Sequence, residues 1–175
     1  VRSPRSPLNR KEITSLSTIT LDIDPIRPAG TASSPEQQEE VIKAANEITR
    51  VYPGNSCAFS GNGVLLIYTT DVPISGELDK WVNKIRSFQE KCQFIINEKG
   101  IKNVRVDATQ DLARLIKCVG TVSVKGEVRP TRFLRVQNNR GAGKDVFNFL
   151  AGNGEGLPER GSAVPGVGRT ISDSM

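Results

Sequence analysis

Two rhythms of apolar and polar positions run through this chain. From Ile19 to Asp24 a β-branched, apolar run predicts a strand, stopped by Pro25. Pro25 to Gly30 is then a loop with breakers at both ends. Ser34 precedes Pro35 and stands three residues before Gln37, which is a capping box with proline at the first helical position. Val41, Ala44, Ala45, Ile48, Val51 and Tyr52 follow at helical spacing, so the helix has one buried face, and Pro53-Gly54-Asn55 ends it. Cys57 to Phe59 and Val64 to Tyr68 read as two short strands around a glycine loop. A second helix, from about Glu77 to Lys99, carries a stripe from Leu78 through Trp81, Ile85, Phe88 and Cys92 to Ile96, with Gly100 as its C-cap residue. On that register Trp81 is a core anchor rather than a base-stacking platform.

Val104 to Val106 predicts a strand ending in Asp107, and Asp111 to Lys117 a short helix. Gly120 to Val124 and Arg132 to Val136 read as strands joined by the turn around Lys125-Gly126-Glu127, and Val146 to Leu150 is a last apolar piece. The Arg-, Ser- and Pro-rich residues 1–12 read as an extended basic arm, 13–150 as the folded domain, and the Gly-, Pro- and Ser-rich 151–175 as a flexible tail or linker. The alternation of helices and strands argues an α/β (α+β) fold: a single domain with a mixed sheet and packed helices.

Composition narrows the chemistry. A chain of 175 residues is long enough for one domain with a proper core, and Val1 in place of Met suggests a piece of a longer chain. The net charge of +5 suits a polyanionic partner. The chain has no histidine, which excludes Ser-His-Asp triads, histidine general bases and histidine-ligated metals. Its 3 cysteines, Cys57, Cys92 and Cys118, have no zinc-like spacing and read as buried reduced thiols of a cytoplasmic protein. No apolar stretch approaches bilayer length and no signal peptide is evident, so no membrane is expected.

Three segments carry candidate chemistry. Side chains repeat every two residues along a strand, so Asp22 and Asp24 point the same way. Paired carboxylates repel, and a divalent cation with a taste for oxygen, Mg²⁺ or Mn²⁺, relieves the repulsion; the plain alternative is two acids facing water. Ser60-Gly61-Asn62-Gly63 is either an ordinary hairpin turn or a concave anion site of bared backbone N–H groups. Asp107 closes another strand, or caps the helix after it. The downstream cations Arg114, Lys117, Lys125, Arg129, Arg132 and Arg135 are either a solvated face or a cluster for triphosphate and template backbone.

Taken in order, these segments resemble the archaeo-eukaryotic primase superfamily, in particular the primase–polymerase domains of plasmid, viral and other mobile-element replication proteins. The resemblance spans roughly Thr20 to Arg135. Leu21-Asp22-Ile23-Asp24-Pro25-Ile26-Arg27-Pro28 looks like the first motif, Phe59 to Tyr68 like the second, and Val106-Asp107 with Leu112 to Lys117 and Gly120 to Gly126 like the third and its basic extension. It implies an RNA-recognition-motif-like catalytic half and a DNA primase/DNA polymerase-like nucleotidyltransferase acting in DNA replication. Asp22, Asp24 and Asp107 would be catalytic and hold two Mg²⁺ or Mn²⁺ ions. Ser60, Gly61, Asn62, Gly63, Arg114 and Lys125 would bind nucleotide. Arg27, Lys117, Arg129, Arg132 and Arg135 would bind nucleic acid. Partners would be a DNA template and primer, nucleoside triphosphates and a helicase domain or other replication protein, in the cytoplasm of a prokaryotic or virus-infected cell. One position departs: where the family's second motif has a triphosphate-binding histidine, two residues after the second glycine, this chain has Leu65. The alternative is therefore a catalytically degenerate relative that binds nucleic acid or nucleotide within a replication protein.

Overall fold

The capping box forms as the sequence implies. The Ser34 hydroxyl accepts from the Gln37 backbone, and the Ser34 N–H donates to the Gln37 side chain. Two orphan donors of the first turn are thereby satisfied, and helix α1 runs Pro35–Val51. Helix α2, Leu78–Glu98, ends in a Schellman turn: Gly100, at φ +66°, donates to Asn97 O and Ile101 to Ile96 O. The computed structural model describes residues 13–74, 78–110 and 118–137, together with 112, 116, 146, 148 and 150. The expected arm 1–12, the tail 151–175 and most of the expected helix 111–117, with Arg114 and Lys117, lie outside the described residues.

The strands are β1 (Ser15–Pro25), β2 (Asn55–Phe59), β3 (Val64–Pro73), β4 (Val104–Val106), β5 (Val122–Ser123), β6 (Arg129–Pro130) and β7 (Arg132–Arg135). Five of them form one sheet in the order β4-β1-β3-β2-β7, and every pairing in it is antiparallel. The order β1-α1-β2-β3-α2-β4, with β1 and β3 central, is the split βαβ arrangement of ferredoxin-like and RNA-recognition-motif sheets. The fold is thus mixed α and β, with both helices against the sheet. No described helix is long and apolar enough to cross a membrane.

Period two sorts β1 onto two faces. Ile19, Leu21 and Ile23 are buried in the main core with Val41, Ile48, Leu66, Phe88 and Ile96, while Thr20, Asp22 and Asp24 stay partly exposed on the other face. Tyr52 and Tyr68 each set a ring edge-on to Phe88, at 5.1 and 5.7 Å between centroids. The Tyr68 hydroxyl donates to Tyr52 O and accepts from Asn55 Nδ2, so a buried phenol is fully answered. Trp81 lies in the core, as its register implies, and Val146 and Leu150 are buried there too. β4 is an edge strand, and the Gln93 side chain closes that edge. Its Nε2 donates to Val104 O at 3.2 Å and its Oε1 accepts from Val106 N at 2.7 Å.

Two expectations change. Residues 120–124 do not pair with 132–136. β5 pairs instead with β6, and β7 joins the main sheet against β2. Buried Thr131 makes the bend: its hydroxyl accepts from the N–H groups of Gly120 and Thr121, and its own N–H donates to Thr121 O. That clamp closes the small ribbon and releases the chain into β7. Second, Cys57 and Cys92 are buried but Cys118 is exposed, since it lies in the loop leading to β5 rather than in a packed element.

Candidate metal and nucleotide site

The pairing of β1 and β4 gathers the acids. Ile23 pairs with Val106 and Asp24 with Arg105, and Asp107 N donates to Asp22 O at 2.8 Å, which extends the register by one step. Directly opposed residues of an antiparallel pair share a face. Asp22, Asp24, Arg105 and Asp107 therefore stand together on the face away from the core. One carboxylate oxygen from each of the three acids lies within 4.8 Å of the others. All three are partly buried.

The Asp24 carboxyl titrates above the ordinary aspartate range, first because burial penalises its charge and second because Asp107 repels it. Arg27, Lys125 and Arg105 pull the other way. Arg105 also pairs directly with Asp107, Nε to Oδ1 at 2.7 Å. Three cations thus face three acids. Of these cations, Arg105 was not singled out by the sequence, because its place opposite Asp24 follows only from strand register.

The glycine loop joins β2 to β3 as a tight hairpin: Ser60 N donates to Gly63 O, and the Ser60 hydroxyl accepts from Gly63 N. Its backbone presses on the acid cluster. A Cβ on Gly63 would stand 2.1 Å from Asp24 Oδ1 and 2.4 Å from Ile23 O, so no larger residue fits. Gly61 adopts φ +99° and lies against Ser123, whose Cβ would be 2.4 Å from an added one. Asn62 is buried and acts as a clasp: its Oδ1 accepts from Ser33 N at 2.9 Å and its Nδ2 donates to Lys125 O at 3.3 Å. The loop, the entry to α1 and the β5–β6 ribbon are thereby tied together, and the Lys125 charge acts on Asp24.

The remaining cations divide by partner. Arg27 donates to Thr31 O at 2.6 Å and acts on Asp24. Arg129 is a structural tie, bonded to Ser33 and Glu127. Arg132 lies over the Phe59 ring, 5.7 Å from its centroid. Arg135 bonds Asn55 Oδ1 at 2.5 Å and Thr49 Oγ1 at 3.2 Å, at the far end of β2 from the glycine loop. The structure therefore brings Arg27 and Lys125 to the acids and holds Arg129 and Arg135 in polar networks of the fold.

Leu65 pairs directly with Asp22 across β1 and β3. It is only 3% exposed, yet it stands outside the main core cluster, on the same face as the acids. The position that departs from the primase pattern is therefore a neighbour of the carboxylates. Compared with models of known families, with curated proteins and with solved structures, the chain matches none.

Proposed function

We propose that this chain is a nucleotidyltransferase domain of primase–polymerase type, which joins nucleoside triphosphates to a primer on a DNA template. The observation that carries the reading is the convergence of Asp22, Asp24 and Asp107 on one sheet face, beside a glycine hairpin and within the field of Arg27 and Lys125. An all-oxygen donor set suits Mg²⁺ or Mn²⁺. The fit is supported by Asp24 itself, whose ionisation is opposed by burial and by Asp107; a divalent cation removes that opposition. Two such ions held by Asp22, Asp24 and Asp107 would supply Lewis acidity to activate a 3′-hydroxyl and to neutralise charge on a departing pyrophosphate.

The chain's own residues supply the rest. The carboxylates that would hold the ions stand on or at the ends of strands, which fix donor spacing better than loops do. Lys125 and Arg27 add positive charge for the triphosphate. Gly63 lets the hairpin backbone approach Asp24 closely enough to wall the site. The partners this reading implies are a DNA template and primer, and a helicase domain or other replication protein.

Leu65 favours a second reading. A leucine donates no hydrogen bond, and the loss of one such donor near the reacting phosphates costs on the order of a hundredfold in rate. On that reading the domain binds nucleotide or nucleic acid without synthesis. Primer extension on primed single-stranded DNA with Mn²⁺ separates the two, using wild type, Asp22→Ala and Leu65→His. Extension by wild type that Asp22→Ala abolishes supports the enzyme. Binding without extension, with extension gained in Leu65→His, supports the degenerate module. Absence of Mn²⁺, nucleotide and DNA binding refutes both.

A further inference from the structure

We propose that Arg105 is a metal-displaced counter-ion: it neutralises Asp107 while no divalent ion is bound, is released when one binds, and then contacts the triphosphate of the incoming nucleotide. This rests on the reading of the three acids as a divalent-ion site. The Arg105 Nε sits 2.7 Å from Asp107 Oδ1, so a cation that took this carboxylate as a ligand would compete with the guanidinium for it. Strand register holds the residue directly across from Asp24, so it belongs to the cluster by construction and not by a chance surface contact.

The guanidinium carries a fixed charge on a long side chain, so that charge leaves the cluster by movement of the side chain. It is able to move: 58% of the Arg105 side chain is exposed, against 26% for Asp107. There is room as well. A groove of about 500 Å³ lies beside β4, lined by Arg105 with Ile26, Gln93, Asn97 and Lys102.

Charge decides the exchange. Three acids face three cations, Arg27, Lys125 and Arg105, so the cluster is close to neutral before any ion enters. A divalent ion leaves the cluster cationic and repels the guanidinium nearest to it. A polyphosphate then meets both the ion and a freed fork of N–H donors, which matches phosphate geometry. Ion and nucleotide would therefore bind with positive coupling, through one side chain that leaves the first to serve the second.

The test measures Mn²⁺ binding by calorimetry for wild type, Arg105→Gln and Arg105→Lys, and then dATP binding in saturating Ca²⁺, with the melting temperature of each variant. We expect Arg105→Gln to bind Mn²⁺ roughly three- to tenfold tighter, because a competing cation is gone. It should bind dATP about tenfold more weakly, with Arg105→Lys between the two on both scales. General damage to the fold would weaken both ligands, so the opposite signs are diagnostic. Equal or weaker Mn²⁺ binding by Arg105→Gln, or unchanged dATP affinity, overturns the role of Arg105 and leaves the metal-site reading standing. If neither wild type nor variant binds Mn²⁺, the metal-site reading falls and this inference falls with it.

Discussion

Replacing Asp24 by asparagine should stabilise the metal-free protein and abolish its stabilisation by metal. The substitution keeps the shape and removes one charge from a cluster whose oxygens lie within 4.8 Å of one another. Two unit charges at that distance repel by about 1 kcal/mol in a water-like medium and about 3.5 kcal/mol at an effective dielectric constant near 20. The attraction of Arg27, Lys125 and Arg105 offsets much of this, but burial and Asp107 prevail, since the Asp24 carboxyl titrates above its ordinary 3.8. A net gain of about 1 kcal/mol is therefore expected for Asp24→Asn at pH 7, or about 2–4 °C in melting temperature for a chain of this size. The sign with pH follows. Folded Asp24 holds its proton more tightly than the unfolded chain does, so its unfavourable contribution grows as pH rises from 3.8 through the raised value and is constant above it. The advantage of Asp24→Asn should be full at neutral pH and vanish below pH 3.8. Mn²⁺ should reverse the order, since a ligand at about a hundred times its dissociation constant stabilises by about 2.7 kcal/mol, and only wild type retains all three acids. Urea denaturation of both proteins, in chelator and in Mn²⁺, reads all of this. A variant less stable than wild type in chelator at pH 7, with no Mn²⁺ effect on wild type, would refute the reasoning.

Three further outcomes are expected. Gly63→Ala puts a methyl group into Asp24 Oδ1 and Ile23 O, and should destabilise by about 1–3 kcal/mol in chemical denaturation and weaken Mn²⁺ binding at the same time; an unaltered urea midpoint would show that the hairpin yields freely. Tyr68→Phe removes a hydroxyl that serves Tyr52 O and Asn55, and should lower stability by about 1–3 kcal/mol without affecting metal binding, as calorimetric melting and Mn²⁺ titration together would reveal. A thiol reagent should modify Cys118 rapidly in the native protein and spare Cys57 and Cys92 until denaturant is added. Burial raises the Cys57 thiol to about 11 and pushes Cys92 up as well. Rapid native labelling of Cys92, seen by peptide mass, would contradict its placement.

The local elements could be read from the sequence because their signals are local. The Ser34–Gln37 box, the stripe from Val41 to Ile48 and the glycine after α2 each specify structure within a few residues, and they appear where expected. The strand carrying Asp22 and Asp24 was legible for the same reason, and so was the shared direction of the two acids. What pairs with what was less legible. β7 leaves the ribbon to join β2 because Thr131 clamps Gly120 and Thr121, a contact between residues ten or more apart that no periodicity records. The same limit hid Arg105, whose importance comes from lying across from Asp24. It also hid the other duty of Asn62, which looks like a turn residue and in fact clasps Ser33 to Lys125.

Gln93 sets where the sheet stops. A strand edge is a template, and any chain with free peptide groups can extend it. Here one side-chain amide presents a carbonyl and an amino group to β4 as a peptide bond would, and so serves as a sixth strand one residue long. The boundary is chemical rather than steric: it needs neither charge nor bulk, and it leaves the groove beside Arg105 open to small ligands while denying that edge to other chains.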